Sequence, residues 1–218
     1  LGDNPFLRKA DAGYEKRLKL LSPTDRKALL DGVWELNEGQ YFSEFSRDLH
    51  VVKPYAIPHD WRRCLTIDYG LDMLAALWIA QSPDGHSVVY RELYRPGLII
   101  SDAAAQMLAC ETAGERIDCR LAPPDLWNRR QETGRSAVEL FADSGLDFIK
   151  SSNERVAGWL ALHELLMPRK DTDGAVRPRL TIFDTCRNLI RTLPALQHDK
   201  RNPSDTANTP HELTHAPD

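Results

Sequence analysis

Three strand-like runs follow one another closely in the first half of the chain, and they constrain the fold more than any other feature. Cys64-Leu65-Thr66-Ile67 ends at Asp68-Tyr69-Gly70 and is followed by the apolar run 73–81, whose periodicity alone fits a buried strand or a helix. The turn sequence Ser82-Pro83-Asp84-Gly85 then leads into the alternating, Val- and Tyr-rich run 87–94. Turn chemistry between two such runs favours a hairpin. We therefore predict three successive strands in an antiparallel meander.

Helices and strands alternate in the rest of the chain. The pattern predicts a helix from Ser101 and a fourth strand at 117–121. A capping box at Ser136 and Glu139 opens the next helix, which leads to a fifth strand at 146–150. A helix from Asn153, a short strand at 180–183 and a last helix at 185–193 follow. Strands reached through a helix are parallel, with right-handed crossovers. The predicted fold is α/β, a mixed five-stranded sheet with antiparallel strands 1–3 and parallel strands 4–5, flanked by helices. This order is ribonuclease H-like, although several α/β folds share parts of it.

The first part of the chain has a different pattern from the rest. Residues 1–60 combine short amphipathic stretches with the breakers Pro54 and Pro58. We expect 1–60 to be a peripheral arm and 61–218 to be the main domain. Because the chain begins at Leu1 rather than Met and ends abruptly at Asp218, we also expect it to be a piece of a longer protein.

Composition excludes some classes of protein. The 218 residues include 28 Lys and Arg against 32 Asp and Glu, a net charge of −4. This net charge argues against a protein that coats nucleic acid mainly through electrostatic attraction, since such proteins are usually basic. It allows a nucleic-acid enzyme whose acidic residues hold metal ions. No apolar run approaches the 18 residues of a membrane-spanning helix. The four cysteines form no CxxC pair, so we expect four reduced, mostly buried thiols in a cytosolic protein.

Two aspartates follow or end predicted strands. Asp68 ends the first strand and Asp125 follows the fourth, so they face the same place if those strands are neighbours. Two carboxylates that share a site repel each other unless they are protonated or bridged by cations, and Mg²⁺ or Mn²⁺ would resolve this. The alternatives are a strand-to-turn junction for Asp68 and a helix N-cap for Asp125. Glu92 in the third strand is either a further acid or a solvent-facing residue.

Basic residues cluster locally despite the negative total. One group contains Arg129 and Arg130, and another contains Arg169 and Lys170 with Arg177 and Arg179 nearby. If these groups flank the acidic site, they can hold phosphates and steer DNA. The alternative is that they form ordinary solvated faces.

The tail contains a metalloprotease-like motif. His211-Glu212-Leu213-Thr214-His215 matches H-E-x-x-H, the zinc-protease helix signature. Pro217 would end such a helix after about two turns, and no downstream ligand follows in this chain. In a second interpretation His215 and Asp218 share one helical face and complete an acidic cluster with Asp68 and Asp125. In a third interpretation, this segment is simply a polar, frayed C-terminus.

Short motifs along nearly the whole chain occur in a characteristic order. They include Ile67-Asp68-Tyr69-Gly70, Glu92-Leu93-Tyr94, Ala122-Pro123-Pro124-Asp125-Leu126-Trp127, Asn202-Pro203-Ser204-Asp205-Thr206 and His215-Ala216-Pro217-Asp218, preceded by Asn4-Pro5-Phe6-Leu7 and Leu30-Asp31-Gly32-Val33-Trp34. In this order the chain resembles the C-terminal nuclease domain of tailed-phage (or prophage) terminase large subunits.

The resemblance implies a metal-dependent endonuclease that cuts concatemeric viral DNA at the start and end of packaging. It implies two Mg²⁺ or Mn²⁺ ions bridged by Asp68, with Asp125 and Asp218 each holding one ion, His215 beside them, and Asp205 as an outer contributor. Residues 1–60 would be the end of a missing ATPase motor and a linker.

The implied partners are double-stranded DNA and, through the full-length protein, the portal protein and the small terminase subunit, in the cytoplasm of the bacterial host and without a membrane. A non-catalytic module that docks on the portal or on DNA is the alternative from another functional class.

Overall fold

The computed structural model describes residues 39–70, 72–170 and 174–207. Nine strands lie within these ranges, named in chain order: β1 (Val51–Val52), β2 (Arg62–Tyr69), β3 (Leu74–Gln81), β4 (Ser87–Arg95), β5 (Cys119–Ala122), β6 (Ile149–Lys150), β7 (Arg169–Lys170), β8 (Val176–Arg177) and β9 (Leu180–Phe183). The α-helices of the same ranges are α1 (Arg47–His50), α2 (Ile100–Cys110), α3 (Ala137–Asp143), α4 (Arg155–Leu166) and α5 (Arg187–Thr192), with 3₁₀ helices at Pro124–Trp127 and Leu193–Ala195.

One mixed sheet organises the described residues, with strand order β1-β9-β4-β3-β2-β5-β6. β2, β3 and β4 form the antiparallel meander, and β5 and β6 add in parallel on the other side of β2. The predicted fold class is therefore confirmed. The sheet is larger than the five strands expected, because β9 pairs in parallel with β4 and β1 pairs in parallel with β9. β1 has only two residues, too few to produce a detectable alternation.

Helices cover both faces of the sheet. On one face the ring of Tyr69 packs against Phe141 of α3, with centroids 5.3 Å apart, and its hydroxyl donates to the carbonyl of Leu98 before α2. On the other face Glu92 contacts the start of α5. The longest described helix, α4, has 12 residues. Within the described part of the chain, no helix combines the length and apolarity needed to cross a bilayer.

Residues before position 61 contribute to the same core. Phe42 is fully buried, and Tyr41 and Phe45 are nearly so. The ring of Phe42 lies 5.6 Å from that of Trp159 in α4. The described part of the predicted arm therefore packs against the sheet and supplies its edge strand, while the boundary between 1–60 and 61–218 stays a prediction.

A disulfide joins Cys64 to Cys119, so the prediction of four reduced thiols is wrong for this pair. The two cysteines are register partners in β2 and β5, with Cα atoms 4.8 Å apart, within the range that a disulfide can bridge. A spacing of 55 residues gave no sign of this pairing, since it depends on which strands are neighbours. Cys110 and Cys186 are free, and burial raises the pKa of the Cys186 thiol to about 12.

Replacing both Cys64 and Cys119 with serine is expected to lower the free energy of unfolding by about 2–4 kcal/mol, because the crosslink restricts the unfolded chain. The measurement is urea unfolding without reductant, with Cys110→Ser as the matched control. Equal unfolding midpoints for the wild type and the double variant would show that this bond does not stabilise the protein.

Candidate functional site

Asp68 is held by β2, an interior strand of the sheet. In β2, Leu65, Ile67 and Tyr69 are buried on one face, so the alternation turns Asp68 to the opposite face, where it is partly exposed. The backbone of Asp68 is in register with Ala75 of β3. A strand with a partner on each side gives this carboxylate a well-fixed backbone.

Asp125 lies just beyond β5, in the first turn of the 3₁₀ helix Pro124–Trp127. Leu126 is buried and anchors this short helix, whereas Asp125 is exposed. The residue at the N-cap position is Pro123. The alternative interpretation of Asp125 as the N-cap of a helix is therefore wrong.

The two carboxylates emerge at the same end of the sheet. β2 and β5 are parallel neighbours in which Thr66 is in register with Leu121, and Asp68 and Asp125 both lie shortly beyond this pair. Adjacent strands are only about 4.8 Å apart. The condition for a shared site, that the first and fourth strands are neighbours, is thus met. We call Asp68 and Asp125 the carboxylate pair.

No third ligand joins the carboxylate pair within the described residues. Across 39–70, 72–170 and 174–207, no group of three or more His, Cys, Asp or Glu side chains is arranged to hold a metal ion. His215 and Asp218, which the sequence suggested as further ligands, lie outside the described residues, as does the whole H-E-x-x-H motif at 211–215.

Glu92 has a structural role that neither sequence interpretation anticipated. Its carboxylate accepts hydrogen bonds from the backbone N–H groups of Asn188 and Leu189, at 3.0 and 2.7 Å, and from Nδ2 of Asn188 at 2.8 Å. These donors form the start of α5, where a negative charge also interacts favourably with the helix dipole. Glu92 therefore fixes α5 to the sheet.

Asp205 is likewise engaged by the fold. Its Oδ1 accepts a hydrogen bond from the indole Nε1 of Trp159 at 3.0 Å and another from the backbone of Thr206 at 2.7 Å. The guanidinium of Arg155 lies 3.7 Å away. These contacts tie the segment after α5 to α4.

Arg129 and Arg130 lie near the carboxylate pair. They follow Asn128, the C-cap of the 3₁₀ helix that contains Asp125, and both are exposed. Burial raises the pKa of Tyr69, the residue after Asp68, and the nearby charge of Arg130 partly offsets that rise. Arg130 is therefore at the carboxylate end of the sheet, where it could contact a phosphate. Arg129 also pairs with Glu139 at 3.4 Å.

Arg169 and Lys170 lie at the opposite end of the sheet. They form β7 and line a cavity with residues of the β3–β4 turn. That turn follows Gln81, whose partner in β2 is Arg62 rather than Asp68. The length of β2 between Arg62 and Asp68 is about 20 Å, at about 3.3 Å per residue. Of the two basic groups, only the one that contains Arg129 and Arg130 flanks the carboxylate pair.

Lys150 is a residue of this end that the sequence analysis missed. It is in register with Ala122, the last residue of β5, and its ammonium group lies 5.2 Å from the ring centroid of Trp127. A single lysine in a two-residue strand gives no sequence signal. Its position adds an exposed cation beside Trp127, which belongs to the same 3₁₀ helix as Asp125.

Comparisons with known proteins identify the fold. No protein-family model and no curated protein sequence matches the chain. The nuclease domain of the P22 large terminase is similar in structure, with a TM-score of 0.62 and 16% identity over 84% of this chain and 90% of that one. The chain has the fold of the large terminase nuclease domains. The prediction made from its short motifs is confirmed at this level.

Two further terminase structures extend the comparison. A large terminase from a thermophilic bacteriophage, in complex with ADP, gives a TM-score of 0.62 and 14% identity. The match covers 92% of this chain but 48% of that one, so the chain spans about half the length of the ADP-bound terminase. The nuclease domain of the SPP1 large terminase, with bound Mn, gives a TM-score of 0.50 and 14% identity. That match covers 81% of this chain and 92% of the SPP1 domain.

The role of Glu92 can be tested directly. Glu92→Ala is expected to lower the free energy of unfolding by about 1–3 kcal/mol, because buried N–H donors of α5 lose their acceptor. Urea unfolding measures the change, and Glu132→Ala, at an exposed position, should have little effect. If Glu92→Ala unfolded like the wild type but bound Mn²⁺ more weakly, Glu92 would be a metal ligand rather than a structural residue.

Proposed function

We propose that the chain is the nuclease domain of a terminase large subunit, a metal-dependent endonuclease that cuts concatemeric viral DNA during genome packaging. The observation that carries the proposal is the carboxylate pair, located at one end of two neighbouring interior strands in a terminase nuclease fold. A fold alone does not define an activity, so the proposal depends on these side chains and their surroundings.

The donor atoms of the carboxylate pair suit a hard divalent cation. Mg²⁺ prefers oxygen ligands, and it is often held by one or two carboxylates together with water and substrate phosphates. A bound cation would also reduce the repulsion between Asp68 and Asp125. The SPP1 nuclease domain contains bound Mn, which supports Mg²⁺ or Mn²⁺ as the cofactor. We propose two such ions, with His215 and Asp218 as the remaining ligands.

The residues of the chain would share the work of binding and orienting the substrate. When bound, the ions would supply an activated water and stabilise the leaving oxygen of the phosphodiester. Asp68 would hold the cations at a fixed place on β2, and Asp125 would complete the pair from its short helix. Arg129 and Arg130 would contact DNA phosphates close to the cut, and Lys150 would place a further positive charge beside them.

The wider role belongs to the longer protein. The chain covers about half of the ADP-bound phage terminase, so an ATPase motor preceding this domain is part of the proposal. Double-stranded DNA would be the substrate, and the portal protein and the small terminase subunit would be partners of the full-length protein in the cytoplasm of the bacterial host.

Removing either carboxylate tests the catalytic assignment. Asp68→Asn and Asp125→Asn are each expected to reduce Mn²⁺-supported plasmid cleavage on the order of a thousandfold, since several kcal/mol of transition-state stabilisation depend on the bound cations. Asp102→Asn, at an exposed position in α2, is the matched control. Circular dichroism establishes that each variant is folded. Cleavage at the wild-type rate by either carboxylate variant would refute the metal-site assignment.

Crystals of the protein soaked separately in Mn²⁺ and in Zn²⁺, with the ions located by anomalous scattering, separate the functional classes. The nuclease proposal predicts two anomalous peaks beside Asp68. A single zinc between His211 and His215, with no ion at Asp68, would instead support a metalloprotease. Absence of any ion at Asp68, together with DNA binding without cleavage, would support a docking module.

A further inference from the structure

The last described residues form a short loop that folds back on itself. We call residues 197–207 the tail loop. The backbone N–H of Asp199 donates to the carbonyl of Asp205 at 2.9 Å, and the N–H of Ala207 donates to the carbonyl of Gln197 at 2.8 Å. These bonds lie within the loop, so they shape it without fixing it to the rest of the domain.

One carboxylate of the tail loop is held by two side chains of α4. The indole Nε1 of Trp159 donates to Oδ1 of Asp205 at 3.0 Å, and Nη1 of Arg155 lies 3.7 Å from the same oxygen. Nη2 of Arg155 donates to the hydroxyl of Thr206 at 2.9 Å. Arg155 and Trp159 are four residues apart and therefore share a face of the helix. We call Arg155, Trp159 and Asp205 the latch.

The latch is largely protected from solvent. Trp159 is 3% exposed and Thr206 is 1% exposed, while the side chain of Asp205 is 24% exposed. Hydrogen bonds to an ionised carboxylate are stronger than those between neutral groups. Tyr41 adds a second attachment, since its hydroxyl donates to the carbonyl of Ser204 at 2.7 Å. Side chains from distant parts of the sequence therefore fix the tail loop in place.

The latch holds the tail loop near the end of the sheet that carries the carboxylate pair. β6 is parallel to β5, and directly after β6 the N–H and the hydroxyl of Ser151 donate to the carbonyl of Ala122 at 2.9 and 3.0 Å. Arg155 follows Ser151 by four residues, which span at most about 14 Å. The first turn of α4 therefore lies within that distance of this end of the sheet.

We propose that the three latch residues are positioning residues for the metal site, because they fix the point from which the chain continues toward His215 and Asp218. This inference rests on the proposed function, which takes His215 and Asp218 as the remaining ligands of the cations. The eight residues from Ala207 to His215 span at most about 28 Å, enough to return from α4 to the carboxylate pair. A fixed starting point reduces the entropy that is lost when these ligands bind an ion. Asp205 thus acts through the chain and does not touch the ion.

Binding of Mn²⁺, followed by electron paramagnetic resonance of the free ion, tests the proposal without cleavage. Asp205→Ala and Trp159→Phe, which removes the indole donor, are each expected to weaken binding about tenfold, as other outer-shell changes do. Asp205→Asn keeps an acceptor oxygen and should retain most of the affinity. Because both residues act through one contact, the double variant Asp205→Ala/Trp159→Phe should bind no more weakly than either single variant. Asp147→Ala, which removes an exposed carboxylate, is the matched control.

Hydrogen exchange provides a second measurement of the same variants. Exchange of the backbone amides of 197–207 should become faster in Asp205→Ala and in Trp159→Phe, because the loop opens locally without unfolding of the sheet. If exchange became faster while both variants bound Mn²⁺ like the wild type, the latch would be purely structural and the proposal would be wrong. Should Trp159→Phe fail to fold, Asp205→Ala carries the test, since the Asp205 side chain is partly exposed.

Two further outcomes distinguish the latch from the other assignments. If Asp205→Asn bound Mn²⁺ as weakly as Asp205→Ala while Trp159→Phe bound it normally, Asp205 would be a metal ligand and the positioning role would be refuted. Asp68→Asn separates the latch from the function on which it rests. Mn²⁺ binding that survived Asp68→Asn would overturn both, whereas binding that was lost in Asp68→Asn and normal in the latch variants would overturn the latch alone.

Discussion

The parallel pairing of β2 with β5 is the constraint on which the candidate site depends. Asp68 and Asp125 are far apart in the sequence, and only the register of Thr66 with Leu121 brings them to one end of the sheet. The pairing also crosses from the antiparallel meander to the α/β half of the fold. The disulfide between Cys64 and Cys119 connects the same two strands before they reach the carboxylates. Any loss of this register would separate the pair while leaving each strand intact.

Toward the opposite end of the same sheet, partly buried charges are balanced by partners within the fold. A bulge beside Trp78 brings neighbouring residues Tyr90 and Arg91 of β4 together on Glu115, with both contacts at 2.8 Å. Burial alone would raise the pKa of Glu115, but the hydrogen bonds from Thr112, Arg91 and Tyr90 outweigh it and lower that pKa. The charge of Arg91 is thus balanced inside the fold. Arg169 pairs instead with the exposed Glu164, and surface ion pairs of this kind contribute little to stability.

Local signals in the sequence were sufficient for the order of the elements. The Ser82–Gly85 turn specifies the β3–β4 hairpin by its own chemistry, and the predicted capping box at Ser136 and Glu139 is present, with both reciprocal hydrogen bonds. The crossover rule gives the direction of the fourth strand but not its neighbour, so its place beside the first strand is seen only in the structure. Features that depend on a distant partner could not be predicted in this way. Glu92 is an example, because its hydrogen-bond donors belong to α5, almost a hundred residues later.

The net charge of −4 conceals an uneven distribution of charge along the sheet. Carboxylates that can be neutralised by cations lie at one end, with Arg130 and Lys150 beside them, and a group of arginines lies at the other. A uniformly basic protein would bind DNA in any orientation, because the backbone charge is the same everywhere. In the proposed function, the carboxylate end would instead hold a phosphate only where the divalent cations are bound. On that proposal, the overall negative charge would keep DNA binding elsewhere on the domain weak, and affinity would depend on the cations held by the carboxylate pair.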